Sequence, residues 1–259
     1  MVYTCYEMMR DCRANLPQGW SHFIAHYVPV IRRLLDHYRG PDAPPLEPVF
    51  AALCRSQSSL FQSLEPSPER WFVAELRQQV LAELPDGPGP EIPLDLDAVA
   101  AALAAFTMVE KQAAWLETMN YGAAQAAEML RMSAETVDKI RNRAADQIRG
   151  QVDAWNRALL ETNGFALGRA AAAAGTRDCP PAKLFLDVLD GRATWSSRAA
   201  IEPHVTACWH CIDHYCRLLE VAELLRGIQP LPEAAAEPFR RMLGLPAAKS
   251  SGWQRWFGA

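Results

Sequence analysis

Ala123-Ala-Gln-Ala-Ala-Glu-Met-Leu130, Arg131-Met-Ser133 and Ala134-Glu-Thr-Val-Asp-Lys-Ile-Arg-Asn-Arg-Ala-Ala-Asp-Gln-Ile-Arg149 follow one another in the middle of the chain. Small residues at Ala124, Ala126 and Ala127 let a second helix cross closely, and Ser133 is placed to cap that helix through its hydroxyl. Val137, Ile140, Ala144 and Ile148 give it one apolar face. The other face carries Lys139, Arg141, Asn142, Arg143 and Arg149, residue types suited to phosphates and base edges in a major groove. The pattern predicts a DNA-binding helix-turn-helix. An ordinary αα-corner with a solvated charged face has the same pattern, and Glu135 and Asp138 at the start of the second helix repel phosphate.

Outward from this core, helical spacing continues in both directions and no strand signal appears, so an all-α fold is expected. Trp20, Phe23, Ile24, Tyr27, Ile31, Leu34, Leu35 and Tyr38 follow the i, i+3, i+4, i+7 rule. Pro29 lies inside that run and predicts a kink or a local break. Further helices are expected at Val49–Leu60, Glu69–Leu84, Leu96–Phe106, Met108–Met119, Ala123–Leu130 and Ala134–Leu160, and within Cys179–Gly227. The stretch Pro85-Asp-Gly-Pro-Gly-Pro-Glu-Ile-Pro93 is a linker by composition. The expected division is 1–84, a linker at 85–95, the helix-turn-helix domain 96–160, a second linker at 161–178, a metal-binding domain at 179–228 and a tail at 229–259. That tail is Pro-rich and ends in Trp253, Trp256 and Phe257, expected to dock onto the chain's own domains.

The 259 residues suffice for two small domains or one large one, and 50% are hydrophobic against 22% charged, the balance of a soluble globular chain. A net charge of −4 excludes a whole-surface nucleic-acid binder, so any DNA contact is local. The longest apolar stretch, Ala98 to Phe106, is far short of the ~20 residues of a membrane span. Met1 to Trp20 has no continuous apolar run, which predicts no signal peptide and a cytoplasmic location. No Gly-rich phosphate loop, G-x-S-x-G elbow or H-E-x-x-H is present, so no enzymatic activity is expected.

Seven cysteines include three within nine residues, Cys208, Cys211 and Cys216. Cys179, His204, Cys208 and Cys211 form C-x24-H-x3-C-x2-C, in which the last three ligands lie about one helical turn apart. Thiolates with one imidazole make a closed tetrahedral zinc set, structural or redox-sensing; buried free cysteines on a helix are the alternative. His210 and His214 are expected to face solvent, with Cys216 packed. His22, His26 and His37 are read as surface histidines, and Cys5, Cys12 and Cys54 as small hydrophobes.

Two family resemblances rest on these residues. Gln125-Ala-Ala-Glu-Met-Leu130, Ser133-Ala-Glu-Thr-Val-Asp138 and Arg143-Ala144 resemble region 4 of extracytoplasmic-function (ECF) sigma factors, which reads the −35 promoter element. Phe23-Ile-Ala-His-Tyr-Val-Pro29 and Glu69-Arg-Trp-Phe-Val-Ala-Glu-Leu76 are similar to region 2, and the resemblance implies Arg70, Trp71 and Arg77 near the −10 strand. The chain departs from the family at Asp42-Ala-Pro-Pro-Leu-Glu-Pro-Val-Phe50, where an acidic polymerase-contacting run is usual. It also departs at Arg131, where the turn glycine is usual, and at Ile140, where an arginine is. Leu186-Asp-Val-Leu-Asp-Gly191 with Ile201-Glu-Pro-His-Val-Thr-Ala-Cys-Trp-His-Cys211 resembles the zinc-binding anti-sigma domain, which wraps around sigma regions 2 and 4.

Together the resemblances imply core RNA polymerase and promoter DNA as partners, one Zn2+, and an intramolecular sigma/anti-sigma contact. Two other functions fit the same residues. One is a DNA- or protein-binding regulator that kept the fold and lost polymerase binding. The other is an interaction protein that does not bind DNA and carries a structural zinc.

Overall fold

Thr4 starts the first helix with a reciprocal cap: its hydroxyl accepts from the Glu7 backbone N–H at 3.2 Å, and the Glu7 carboxylate accepts from the Thr4 N–H at 2.7 Å. The computed structural model describes residues 3–39, 44–55, 59–62, 69–84, 96–148, 168, 171 and 173–246, and every regular element among them is helical. The fold is all-α. The chain divides into two compact units, one of residues up to Leu84 together with those from Leu224 on, the other of residues 85–223.

The first unit is built from α1 (Cys5–Arg13), α2 (Pro17–Arg39), α3 (Leu46–Leu53), a 3-10 turn (Ser59–Phe61) and α4 (Glu69–Ala82). Gly19 allows α1 and α2 to meet, because a Cβ there would stand 2.6 Å from the Cys12 nitrogen. The core is aromatic. Phe23 touches Tyr27, Phe50, Phe61 and Phe72 at centroid separations of 5.7, 6.0, 5.2 and 6.2 Å. Phe72, Val73, Leu76, Val80 and Leu84 are all buried, as the spacing predicts.

Pro29 does not break α2, which runs unbroken from Pro17 to Arg39. The proline lacks the N–H that would have bonded the Ala25 carbonyl. The Leu231 N–H donates to that carbonyl instead, at 2.7 Å. Residues beyond Gln229 are therefore more than a tail. They carry a helix (Glu233–Met242, the last among the described residues) whose Phe239 packs on Phe50 at 5.0 Å and whose Arg240 donates to the Ser21 hydroxyl at 2.7 Å. Trp253, Trp256, Phe257 and the 85–95 linker lie outside the described residues, as does most of 161–178.

The second unit contains α5 (Leu96–Ala102), α6 (Met108–Thr118), α7 (Ala123–Leu130), α8 (Ala134–Gln147), α9 (Ala182–Leu189), α10 (Trp195–Ala207) and α11 (Trp209–Leu225); the helix at Glu233–Met242 is then α12. α7 and α8 form the expected helix–turn–helix pair. Arg131, at the turn position, adopts a left-handed conformation with φ 57° and closes α7 through backbone bonds to Ala127 and Glu128. Ser133 accepts from the Thr136 N–H at 3.1 Å, and Val137, Ile140, Ala144 and Ile148 are buried.

Sequence reading separates the 96–160 and 179–228 segments, but α6 joins them in one unit. Trp115 stacks on Trp209 at 5.1 Å, and its indole N–H donates to the buried Asp213 carboxylate at 3.0 Å. The Tyr121 hydroxyl donates to the buried Glu220 carboxylate at 2.9 Å. Burying a polar group costs free energy unless it is hydrogen-bonded, so these pairs fix the register of α11 against α6 and the loop after it.

Candidate metal centre

The ligand set is assembled where helices end. Cys179 comes from the turn before α9, followed by Pro180 and Pro181, and Pro181 opens that helix. His204 lies in the last turn of α10, Cys208 closes it in extended conformation (φ −111°, ψ 111°), and Cys211 lies in the first turn of α11. The H-x3-C-x2-C run thus spans a break between two helices, where the spacing alone suggests successive turns of one. The break is what turns the ligands toward a common point.

One ligand atom from each of Cys179, His204, Cys208 and Cys211 lies within 4.8 Å of all the others. Sulfurs about 2.3 Å from a tetrahedral ion stand about 3.8 Å apart. Cys179 Sγ and Cys208 Sγ are 3.8 Å apart. His204 Nε2 is buried and makes no hydrogen bond, an orphan that an ion satisfies. The cluster can hold one metal ion and is compatible with zinc. Comparison with protein-family models, curated proteins and solved structures finds no match to this chain.

The electrostatics separate the thiols. Burial opposes ionisation of Cys179, but the Thr176 backbone N–H at 3.3 Å, the neighbouring His204, the Thr176 hydroxyl and Cys211 together outweigh it and bring the thiol down to about 6. Cys211 is pushed up by burial first and by the neighbouring Cys208 second. An ion reverses that second effect, because a coordinating thiol is held as thiolate. Thr176 was not singled out from sequence; its signal is the Thr-x-x-Cys spacing of a turn whose N–H groups point at sulfur.

His210 and His214 are half-buried rather than fully exposed to solvent. Gly175 passes so close to His210 that a Cβ would meet its ring at 2.9 Å, and His210 Nδ1 lies 3.3 Å from the Ala171 carbonyl. His214 packs edge-on to Phe185 at 5.2 Å, and burial, with His210 beside it, lowers its pKa to about 4. The two histidines lie one turn apart on α11, on a face that looks polar in sequence. Cys216 is fully buried, as expected. Burial raises the thiols of Cys5 and Cys54 to about 11 and about 12, so both stay protonated.

The basic residues singled out on α8 divide into two kinds. Lys139 is exposed and pairs with Glu135 at 2.6 Å, and Asn142 is exposed. Arg141 does not project from the helix. Its guanidinium donates to the carbonyls of Ala113 at 3.1 Å and Tyr121 at 2.9 Å, tying α8 to α6 and the loop after it. Arg143 lies over the Phe106 ring at 4.3 Å and pairs with Glu110. Arg149 is outside the described residues. On α4, Arg70 and Trp71 are half-buried, whereas Arg77 is buried and donates to the Tyr38 hydroxyl at 2.6 Å. Arg77 is a core residue, not a surface cation. No helix among the described residues is long and apolar enough to cross a membrane.

Proposed function

We propose that the chain is an ECF-type sigma factor regulated in cis by its C-terminal zinc-binding segment. The observation that supports this most is the joining of α7–α8 and the Cys/His helices α10–α11 in one unit, through the Trp115–Asp213 hydrogen bond on α6 and the Tyr121–Glu220 hydrogen bond in the loop after it. Cys179, His204, Cys208 and Cys211 hold the zinc, which supplies a structural crosslink between the 179 turn and the α10–α11 junction. Thr176 keeps Cys179 ionised and oriented, and Trp115 and Asp213 carry the state of that junction to α6. Loss of the ion loosens α11 and frees the helix pair for promoter DNA and the chain for core RNA polymerase.

The test is capture of core RNA polymerase by the full chain, loaded with zinc, stripped by a chelator, or carrying Cys208→Ser. Capture by the stripped and Cys208→Ser forms alone supports regulation in cis. Capture by every form makes the zinc segment an accessory. Capture by none ends the sigma reading.

A regulator that does not bind polymerase is favoured by one observation, the engagement of Arg141 and Arg143 within the unit. In that case α8 offers Lys139 and Asn142 beside Glu135 and Asp138, a mixed surface suited to protein as much as to a duplex. Retention of a duplex with a steep salt dependence separates a DNA-binding regulator from a protein-binding one.

A further inference from the structure

A cavity of about 570 Å³, open to solvent, lies on the second unit between the α5–α6 region and α10. Its wall is mostly methyl groups, with Ala100, Ala104 and Ala199 among them, and it is interrupted by Lys111, Glu202 and Thr206. Cavities of this size, apolar with a few polar groups, are where small molecules bind.

Lys111 is the unusual member. It is only 4% exposed, yet among the described residues its partners are one carbonyl, that of Thr206 at 2.8 Å, and the face of the Trp209 ring at 5.8 Å. An ammonium has three N–H donors, and a buried one is costly unless paired with negative charge. Burial accordingly lowers its pKa. No carboxylate of the described residues forms an ion pair with it, although the exposed Glu202 also lines the cavity.

We propose that this cavity binds a small organic monocarboxylate, its carboxylate on the Lys111 ammonium and its hydrocarbon body against the alanines. One buried cation in a methyl-lined wall calls for one anionic group on an apolar body. Glu202, on the same lining, disfavours ligands that carry further anionic groups. The site is independent of the sigma reading, since it rests on Lys111 and the cavity alone.

The experiment is titration calorimetry on the full zinc-loaded chain with octanoate, with octanol as the uncharged match. The expected result is saturable one-to-one binding of octanoate and at least tenfold weaker binding of octanol. Lys111→Met lowers octanoate affinity at least tenfold. Ala199→Trp, which fills the cavity from an exposed position of α10 and leaves Lys111 in place, abolishes binding even if Lys111→Met fails to fold. Absence of saturable binding, equal affinity for octanol, or undiminished binding by Ala199→Trp overturns the proposal.

Discussion

The two units of the chain are held together by different means. In the first, Phe23, Tyr27, Phe50, Phe61, Phe72 and Phe239 make a continuous aromatic core. In the second, single aromatic contacts are backed by buried polar pins, Trp115–Asp213 and Tyr121–Glu220, and by a Cys/His cluster. Apolar burial is indifferent to pH and metal, whereas buried ionisable groups and ligand thiols are not. Both units respond to pH, since burial lowers His22 of the first to about 4, and the second adds a metal-ligand cluster to that response.

The contrast can be broken most severely at Phe23. Phe23→Ala removes a fully buried ring and costs the first unit about 3–5 kcal/mol, read as lost hydrogen-exchange protection in α2 with the amides of α6 unaffected. Equal loss in both units would show that they unfold as one.

The next test is pH. His214 has a folded pKa of about 4 against an ordinary 6.5, so between those values the unfolded chain binds the proton and the folded one does not. Stability of the second unit therefore falls as pH drops from about 6.5 to about 4, by up to about 3 kcal/mol, and is flat with respect to this group below that. His214→Phe flattens the slope in urea titrations at pH 7 and 4.5. An unchanged slope would assign the acid sensitivity elsewhere.

Smaller effects sharpen the comparison. Leu231→Pro removes the donor to the Ala25 carbonyl and costs the first unit about 1–3 kcal/mol, seen as faster proteolysis within 228–246. Ser133→Ala removes the cap of α8 and costs the second unit about 1 kcal/mol, seen as a lower denaturation midpoint. Resistance of the Leu231 variant to protease would mean that Phe239 alone anchors the last helix.

Periodicity made the helices legible, and the Ser133 cap followed from residue type. The spacing of Cys179, His204, Cys208 and Cys211 exposed the candidate metal centre, since thiols and imidazole at such intervals have few structural uses. The fates of Arg77 and Arg141 were hidden. Helical spacing tells which face is apolar, but a long arginine stem can bury itself and spend its guanidinium on carbonyls or a hydroxyl that only the fold brings near. At Pro29 the expected break is absent for a similar reason. The sequence shows the missing N–H, but not that Leu231, some two hundred residues on, supplies another.

That return of residues 224–246 to the first unit bears on how the chain is made. A ribosome extends a chain at about 5–20 residues per second, so roughly 10–30 s separate the emergence of Leu84 from that of the helix carrying Phe239. Throughout that interval the nascent first unit presents the Phe50 ring and the Ala25 carbonyl without their partners, a natural point for a chaperone to engage. Emergence of residues 224–246, rather than completion of the first 84 residues, is the event that lets this unit close.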